Sequence, residues 1–155
     1  MTEFTYQGRR YLWRSHRWFD QDYIQVEERL ARELDLAFPR PPKGPLELAR
    51  LRREAREAGH VHSLAAVGPP DPADPVSVAV HSAIYRDLRQ PERAVRLTES
   101  WRDSKDPAVL VVRAAALCDM ELWQEAWRAA ERAKACGAGW YADSVLRRIS
   151  KERVG

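Results

Sequence analysis

Arginine and tryptophan residues crowd into one short stretch near the N-terminus, and together they have the chemistry to bind nucleic acid. The stretch contains Arg9, Arg10, Trp13, Arg14, Arg17 and Trp18. Guanidinium groups bind phosphates and indole rings stack on bases, a combination that single-stranded nucleic acids favour. The alternative is an ordinary solvated surface, on which the long arginine side chains cover the aromatic rings.

The histidines do not form a recognisable catalytic or metal site. Glu57, His60 and His62 make an E-x-x-H-x-H string, but structural zinc sites take four ligands, and neither a cysteine nor a third histidine lies nearby in sequence. We interpret these histidines as surface groups or as partners of a helix end. His16 and His81 have no serine or cysteine partner in a local motif, and the chain lacks a glycine-rich phosphate loop. We therefore expect no enzyme activity, no metal and no cofactor.

The arginine stretch belongs to a predicted β-meander of two or three strands within residues 3–20. Aromatic and polar residues alternate there, and Gln7-Gly8 and Ser15-His16 are turn-like breaks. One side of the sheet is predicted to be aromatic. Its members are Phe4, Tyr6, Tyr11 and Trp13, with Trp18 as a further candidate.

A helix is predicted next, over residues 22–36, because an isolated sheet of this size is marginal and needs a partner. Asp20 or Asp22 would cap the start of this helix. Its apolar stripe, which we expect to cover the aromatic side of the sheet, consists of Tyr23, Val26, Leu30 and Leu34. The sheet and this helix form the predicted first domain, residues 1–38.

Two proline-rich connectors divide the rest of the chain. They are residues 38–45 and 67–75, where the proline rings leave little room for a helix or a central strand. Between them, Leu46–Ala58 has a thin apolar stripe and charges of both signs, which predicts an exposed helix. Residues 39–74 are therefore predicted to link the first domain to a third segment, residues 75–155.

Five helices are predicted in residues 75–155. They run from about Pro75 to Leu88, Pro91 to Arg102, Pro107 to Met120, Trp123 to Ala133 and Trp140 to Arg153. The turns between them are short, so consecutive helices should be antiparallel neighbours. Cys118 and Cys136 would then lie about 20 Å apart, which is too far for a disulfide, so we expect two free thiols.

Two of these predicted hairpins are related by a weak internal repeat in the sequence. Ser82–Trp101 aligns with Ala114–Ala133 at an offset of 32 residues, and a period of this size is typical of stacked helical hairpins. The pattern resembles the tetratricopeptide repeat family, in which small, large apolar or aromatic, and alanine positions recur at fixed spacing. The two copies here are Ser82, Tyr85, Ala94 and Trp101, then Ala114, Leu117, Ala126 and Ala133. A generic helical bundle is the alternative.

The resemblance implies a mainly α fold of tetratricopeptide-like antiparallel helical hairpins beside the small N-terminal β-meander. It also implies a non-catalytic scaffold that binds a peptide or protein partner in a groove and that can self-associate. The groove residues it implies are Val76, Ala79, Ala83, Arg86, Ala108, Val111, Ala115 and Asp119. Arg86 would clamp a carboxylate and Asp119 would accept a hydrogen bond from a peptide amide. Alternatively, the N-terminal helices fill the groove, or the arginine stretch makes the protein a nucleic-acid binder.

Composition sets the broad class of the protein. With 155 residues, 45% hydrophobic and 32% charged, the chain has the size and mixture of one soluble domain, or of one with a small appendage. Only four of its 26 basic residues are lysines and it contains no asparagine, which suits a GC-rich or thermophilic source. No apolar run approaches membrane-spanning length, and the N-terminus lacks the apolar core of a signal peptide. We therefore expect a cytoplasmic protein that does not bind membranes.

Overall fold

The chain is mainly helical, with one small antiparallel sheet at its N-terminal end. A computed structural model of the chain describes residues 2–14, 17–38 and 44–154. The chain divides into two compact units, Met1–Gly68 and Pro69–Gly155. No helix within the described ranges is long and apolar enough to cross a membrane.

The sheet of the first unit has three antiparallel strands, β1 Thr2–Tyr6, β2 Arg9–Arg14 and β3 Arg17–Asp20, with β2 in the centre. The predicted turn at Gln7-Gly8 is confirmed: both residues have positive φ, 52° and 76°. Two consecutive left-handed residues suit the right-handed twist of a tight hairpin. The other predicted turn, Ser15-His16, lies outside the described residues.

The predicted aromatic side of the sheet is confirmed, and it packs against helix α1, Glu28–Ala37. Tyr11, Trp18 and Leu34 are buried at the centre of this contact. Partly buried residues surround them, including Phe4, Tyr6, Trp13, Val26, Leu30 and Phe38. The rings of Phe4 and Trp18 meet edge to face, with centroids 5.2 Å apart, a favourable geometry for aromatic pairs.

The predicted start of α1 is wrong: the helix begins at Glu28 rather than near Asp22. One oxygen of Asp20, Oδ1, accepts hydrogen bonds from the backbone N–H groups of Asp22 and Ile24, at 2.9 and 3.0 Å. The Asp20 carboxylate therefore closes a turn instead of capping a helix, a competition that aspartate side chains often create. Within this turn Tyr23 has a φ of 60° and is exposed, so it does not belong to the apolar stripe.

The first unit ends with helix α2, Pro45–Ala58, and a short 3₁₀ helix, Val61–Ala66. The prediction of a helix over Leu46–Ala58 is confirmed, and Pro45 occupies its first turn, where a missing N–H costs nothing. Gly59 follows in a left-handed conformation, φ 73°, as helix C-termini favour. The connector before α2 lies mostly outside the described residues, and the 3₁₀ helix was not predicted.

The second unit consists of five helices: α3 Pro75–Asp87, α4 Pro91–Thr98, α5 Pro107–Asp119, α6 Trp123–Ala135 and α7 Trp140–Val154. The prediction of five helices is confirmed, except that α4 ends at Thr98 and a 3₁₀ turn, Glu99–Trp101, follows it. Helix α5 is central and contacts each of the other four. Helix α4 packs against α3 and α5, and α6 packs against α5 and α7.

The two hairpins of the second unit repeat their backbone structure at intervals of 32 residues. Asp74 and Asp106 both cap a helix that opens on proline, each accepting a backbone hydrogen bond through its side chain. Arg89 and Glu121 both occupy the left-handed region, with φ of 61° and 60°. Both lie in the tight turn that reverses the chain. The weak sequence repeat is therefore matched by helix starts, caps and turns.

Small residues fill the contacts between these helices. Ala94, Ala114, Ala126, Ala130 and Ala133 are completely buried, and alanine lets two helix backbones approach closely. Cys118 and Cys136 are free thiols, as predicted. Burial raises the pKa of the Cys118 thiol, which keeps it protonated and unreactive.

Candidate functional site

Three side chains, Arg86, Asp119 and Arg148, form an ionic network that joins α3, α5 and α7. Arg86 donates through Nε to Asp119 Oδ2 at 2.6 Å and through Nη2 to Oδ1 at 3.2 Å. Arg148 donates through Nη1 to Asp119 Oδ1 at 2.9 Å. Because one carboxylate binds both guanidinium groups, the three helices must present these residues on a common side of the second unit.

The network carries more positive than negative charge. Burial tends to raise the pKa of Asp119, but the hydrogen bonds and charges of Arg86 and Arg148 outweigh it and hold the pKa below 3.8. Asp119 is therefore ionised at neutral pH and balances only one of the two arginines. A net charge of about +1 remains, since arginine keeps its proton.

The network fixes which residues share its side of each helix, because residues three, four or seven apart lie on one stripe. We call this surface the α3–α5–α7 face. Besides the network it contains Val76, Ala79, Ala83, Ala108, Val111, Ala115, Tyr141 and Ser144. Val76 is 43% exposed and Tyr141 57% exposed. Ala115 is buried, so the face dips towards small side chains at the centre of α5.

The face has an aromatic group at the end remote from the network. Trp140 and Tyr141 stack at the start of α7, with ring centroids 4.0 Å apart and planes 24° from parallel. Both rings are mostly exposed. The N-termini of α3, α5 and α7 lie at this end, because two short reversals separate each helix from the next. The face therefore runs from an apolar, aromatic end to a cationic end.

The predicted groove residues of α3 and α5 share this face by their spacing from Arg86 and Asp119, and the structure pairs these two charged residues with each other. Arg86 and Asp119 were expected to bind a partner's carboxylate and amide separately. In the structure Arg86 and Asp119 are already hydrogen-bonded to each other before any partner binds. Arg86 still has N–H groups outside the pair, since guanidinium offers five donors. Arg148 was missed because α7 shows no repeat partner in the sequence.

Trp18 is too deeply buried to serve as a stacking platform for bases, which corrects the expectation for that residue but not for Trp13. Trp18 is 2% exposed, and its indole Nε1 donates to Asp35 Oδ1 at 2.9 Å. Trp13 is half-buried in the same aromatic core, its ring 5.1 Å from that of Trp18. The Trp18 ring is therefore enclosed in the first unit, whereas the Trp13 ring stays partly exposed and lines a cavity.

All four arginines of the stretch are exposed, but they lie on different sides of the sheet. Side chains alternate along a strand and paired residues share a side. Arg9 pairs with Tyr6, on the aromatic side. Arg10, Arg14 and Arg17 lie on the opposite side, where Arg14 pairs directly with Arg17.

A buried carboxylate that the sequence did not reveal lies in the first unit. Asp35 of α1 accepts the indole hydrogen bond, and its Oδ2 lies 3.5 Å from His62 Nε2. Burial lowers the pKa of His62, against an opposing effect of Asp35. Across residues 2–14, 17–38 and 44–154, no group of three or more His, Cys, Asp or Glu side chains is arranged to hold a metal. His62 Nε2 makes no hydrogen bond within the described residues, so Asp35 and His62 are close neighbours and not a bonded pair.

A cavity of about 280 Å³ opens between the sheet edge, α2 and the 3₁₀ helix. Its walls include Phe4, Trp13 and Leu51, and its charged groups include Glu47 and Glu54. No arginine or lysine is among the described residues that line it. The cavity is therefore unsuited to phosphate and is chemically distinct from the arginine surface.

Two surfaces of the chain thus carry positive charge in excess: the cationic end of the α3–α5–α7 face, and the side of the sheet that bears Arg10, Arg14 and Arg17. Comparison with known proteins found no matching family model, no matching curated protein and no matching solved structure. These two surfaces are therefore the candidate functional sites of the chain.

Proposed function

We propose that the second unit is a tetratricopeptide-like, non-catalytic scaffold of the cytoplasm that binds a peptide or protein partner on the α3–α5–α7 face. The observation that carries this proposal is the network of Arg86, Asp119 and Arg148. It spans three helices at a partly exposed position and provides two guanidinium groups for one carboxylate. A second carboxylate, from a partner, would complete its charge balance.

The apolar end of the face supplies the other half of the recognition. Val76 on α3 and Tyr141 on α7 are exposed large hydrophobic residues, and Ala108 between them is exposed and small. Aromatic and aliphatic anchors of this kind dominate the binding energy of interfaces. A partner's apolar side chain would bury itself there, and its acidic group would reach the cationic end.

The two ends set the spacing that a partner needs. Seven residues separate Tyr141 from Arg148 and ten separate Val76 from Arg86, which corresponds to about 10–15 Å along a helix. An extended peptide advances about 3.3 Å per residue. A partner segment that lies along the helices should therefore carry its apolar and acidic residues three or four positions apart.

Helix α7 gives the helical array a polar end. Its side chains Arg147, Ser150 and Lys151 are exposed, whereas Ala142 and Ile149 are buried. Arrays of stacked hairpins require such polar terminal helices, because each unit covers the apolar surface of its neighbour. At the α5–α6 turn, Met120 and Leu122 remain exposed, and they are the apolar contact through which two copies would self-associate.

The experiment is selection of binders from a random peptide library displayed against the full chain, followed by affinity measurement on the enriched peptides. We expect enriched peptides to share an acidic and an apolar residue three or four positions apart. Ala108→Glu should weaken them at least about ten-fold, because it places a bulky anion in the centre of the interface. The matched control is Ala135→Glu, which changes an exposed alanine of α6.

Ala135→Glu should leave peptide affinity unchanged. Sedimentation of both variants reports self-association separately, so loss of peptide binding is not confused with a change in oligomeric state. The proposal is overturned if no peptide family is enriched, or if Ala108→Glu binds the enriched peptides as tightly as the unaltered chain does.

A further inference from the structure

Two arginines of the first unit face each other across neighbouring strands. Arg14 of β2 and Arg17 of β3 are directly paired and therefore lie on the same side of the sheet. Like charges directly opposite in an antiparallel pair are destabilising. Both side chains are exposed, and neither belongs to any ion pair among the described residues. The fold therefore keeps a repulsive pair that it does not neutralise itself.

A third arginine lies on the same side of the sheet. Arg10 is exposed and makes two hydrogen bonds of 3.0 Å to the Glu3 carboxylate of β1. We call Arg10, Arg14 and Arg17 the arginine surface. Glu3 pairs with Arg10, so the positive charges of Arg14 and Arg17 are the ones that no ion pair among the described residues balances.

We propose that the arginine surface binds the phosphate backbone of a nucleic acid without stacking on its bases. Guanidinium groups bind phosphate through two parallel hydrogen bonds, and a phosphate between Arg14 and Arg17 would remove their repulsion. The indole rings lie on the other side of the sheet, against α1, so the bases gain no aromatic platform. Binding is therefore independent of base sequence.

A nucleic acid fits this surface better than a membrane does. A phosphodiester chain carries a permanent negative charge at each step, so adjacent phosphates can serve arginines that lie side by side. Membrane-binding surfaces combine basic residues with exposed apolar side chains that insert into the lipid. Of the apolar residues that the strands β2 and β3 place on this side of the sheet, Leu12 is buried and Phe19 is half-buried, so neither protrudes.

The test is fluorescence anisotropy of the full chain with labelled single-stranded and duplex DNA of unrelated sequences, from about 50 to 200 mM salt. Arg10 is paired with Glu3, so two phosphate contacts, from Arg14 and Arg17, predict a slope of log affinity against log salt of about −1.4 for single strands and about −1.8 for duplex. Affinity should not depend on base sequence. Absence of binding at the lowest salt overturns the proposal.

Two double variants distinguish binding by the arginine surface from binding that depends only on the net charge of the chain. Arg14→Ala with Arg17→Ala should weaken binding about ten-fold and remove most of the salt slope, since both phosphate contacts are lost. The matched control, Arg96→Ala with Arg128→Ala, removes two exposed arginines of α4 and α6 and should leave affinity almost unchanged. An equal loss in both double variants overturns the proposal.

Glu3→Gln gives a test in the opposite direction. It releases Arg10 from its carboxylate, so nucleic-acid affinity should rise several-fold, and an unchanged affinity would count against the surface. Thermal unfolding confirms that each variant is folded. A last measurement uses vesicles of anionic phospholipid. If the chain binds them more tightly than DNA, and the Arg14 and Arg17 double variant does not bind them, the surface is a membrane site and the proposal is overturned.

Discussion

Arg113 in the second unit is 6% exposed and has three hydrogen-bond acceptors, whereas Arg14 in the first unit is exposed and faces another arginine. Arg113 donates to the carbonyl of Val95, to Thr98 Oγ1 and to Glu99. Arg132 likewise donates to the carbonyls of Asp103 and Ser104. In the second unit, arginine joins one hairpin to the next.

The difference between Arg113 and Arg14 shows how the contacts of an arginine indicate its role. An arginine whose donors are consumed within the fold contributes to stability, and removing it should weaken folding. An arginine that faces a like charge weakens folding, so its presence is better explained by a ligand outside the chain. Arg86 and Arg148 lie between these cases, because they share one carboxylate and keep donors to spare.

The largest effect is expected for Arg113→Ala. It leaves Thr98 and the Val95 carbonyl without their buried donor and breaks the ion pair with Glu99, so unfolding free energy should fall by about 3 kcal/mol. Urea unfolding measures it. Arg96→Ala, an exposed arginine of α4, is the control and should lie within about 0.5 kcal/mol of the unaltered chain. A loss below that level for Arg113→Ala would contradict the assignment.

Asp119→Asn should have the next largest effect, about 1 kcal/mol at pH 7, because it weakens hydrogen bonds to two arginines. The folded-state pKa of Asp119 lies below 3.8. Its contribution is therefore complete above pH 3.8 and is lost as the pH falls through the lower folded-state pKa. Urea unfolding of both proteins from pH 7 to 3 should show the gap closing. Asp143→Asn, whose partner Lys134 is exposed, should show almost no gap at any pH.

Two histidines, one in each unit, should titrate below their ordinary pKa. Burial lowers the pKa of His62, against the opposing effect of Asp35, and burial lowers the pKa of His81. Their neutral forms favour folding above pH 6.5, and this contribution is lost as the pH falls through the lower folded-state pKa. Imidazole chemical shifts followed by NMR measure both, and a midpoint at or above 6.5 would contradict the prediction.

The helices of the second unit could be predicted from sequence because local signals specify them. Pro75, Pro91 and Pro107 each open a helix, and apolar spacing marks the rest. The start of α1 could not be predicted in this way. Asp20 is as good a helix cap as it is a turn former, and the choice depends on a bridge between Phe19 and Gln25 that forms only in the folded sheet.

The sites were predicted in part. Arg86 and Asp119 were identified through their positions in the repeat, but their mutual bond joins residues 33 apart and depends on how α3 packs on α5. The location of Trp18 was ambiguous because its side of the sheet depends on the length of the turn before β3. Asp35 gave no signal at all, since a single carboxylate in a charged helix looks like a surface residue.

The smallest effect on stability distinguishes an arginine surface that binds a ligand from an ordinary solvated surface. Arg14→Thr removes the repulsion with Arg17, so unfolding free energy should rise by about 0.3 kcal/mol, and the gain should shrink as salt screens the charges. Arg9→Thr is the matched control, because Arg9 is an arginine of the same strand that faces Tyr6. Thermal unfolding at two salt concentrations measures both. If Arg14→Thr raises the unfolding free energy no more than Arg9→Thr does, the Arg14–Arg17 pair does not destabilise the fold. An ordinary solvated surface would then explain these arginines without a ligand.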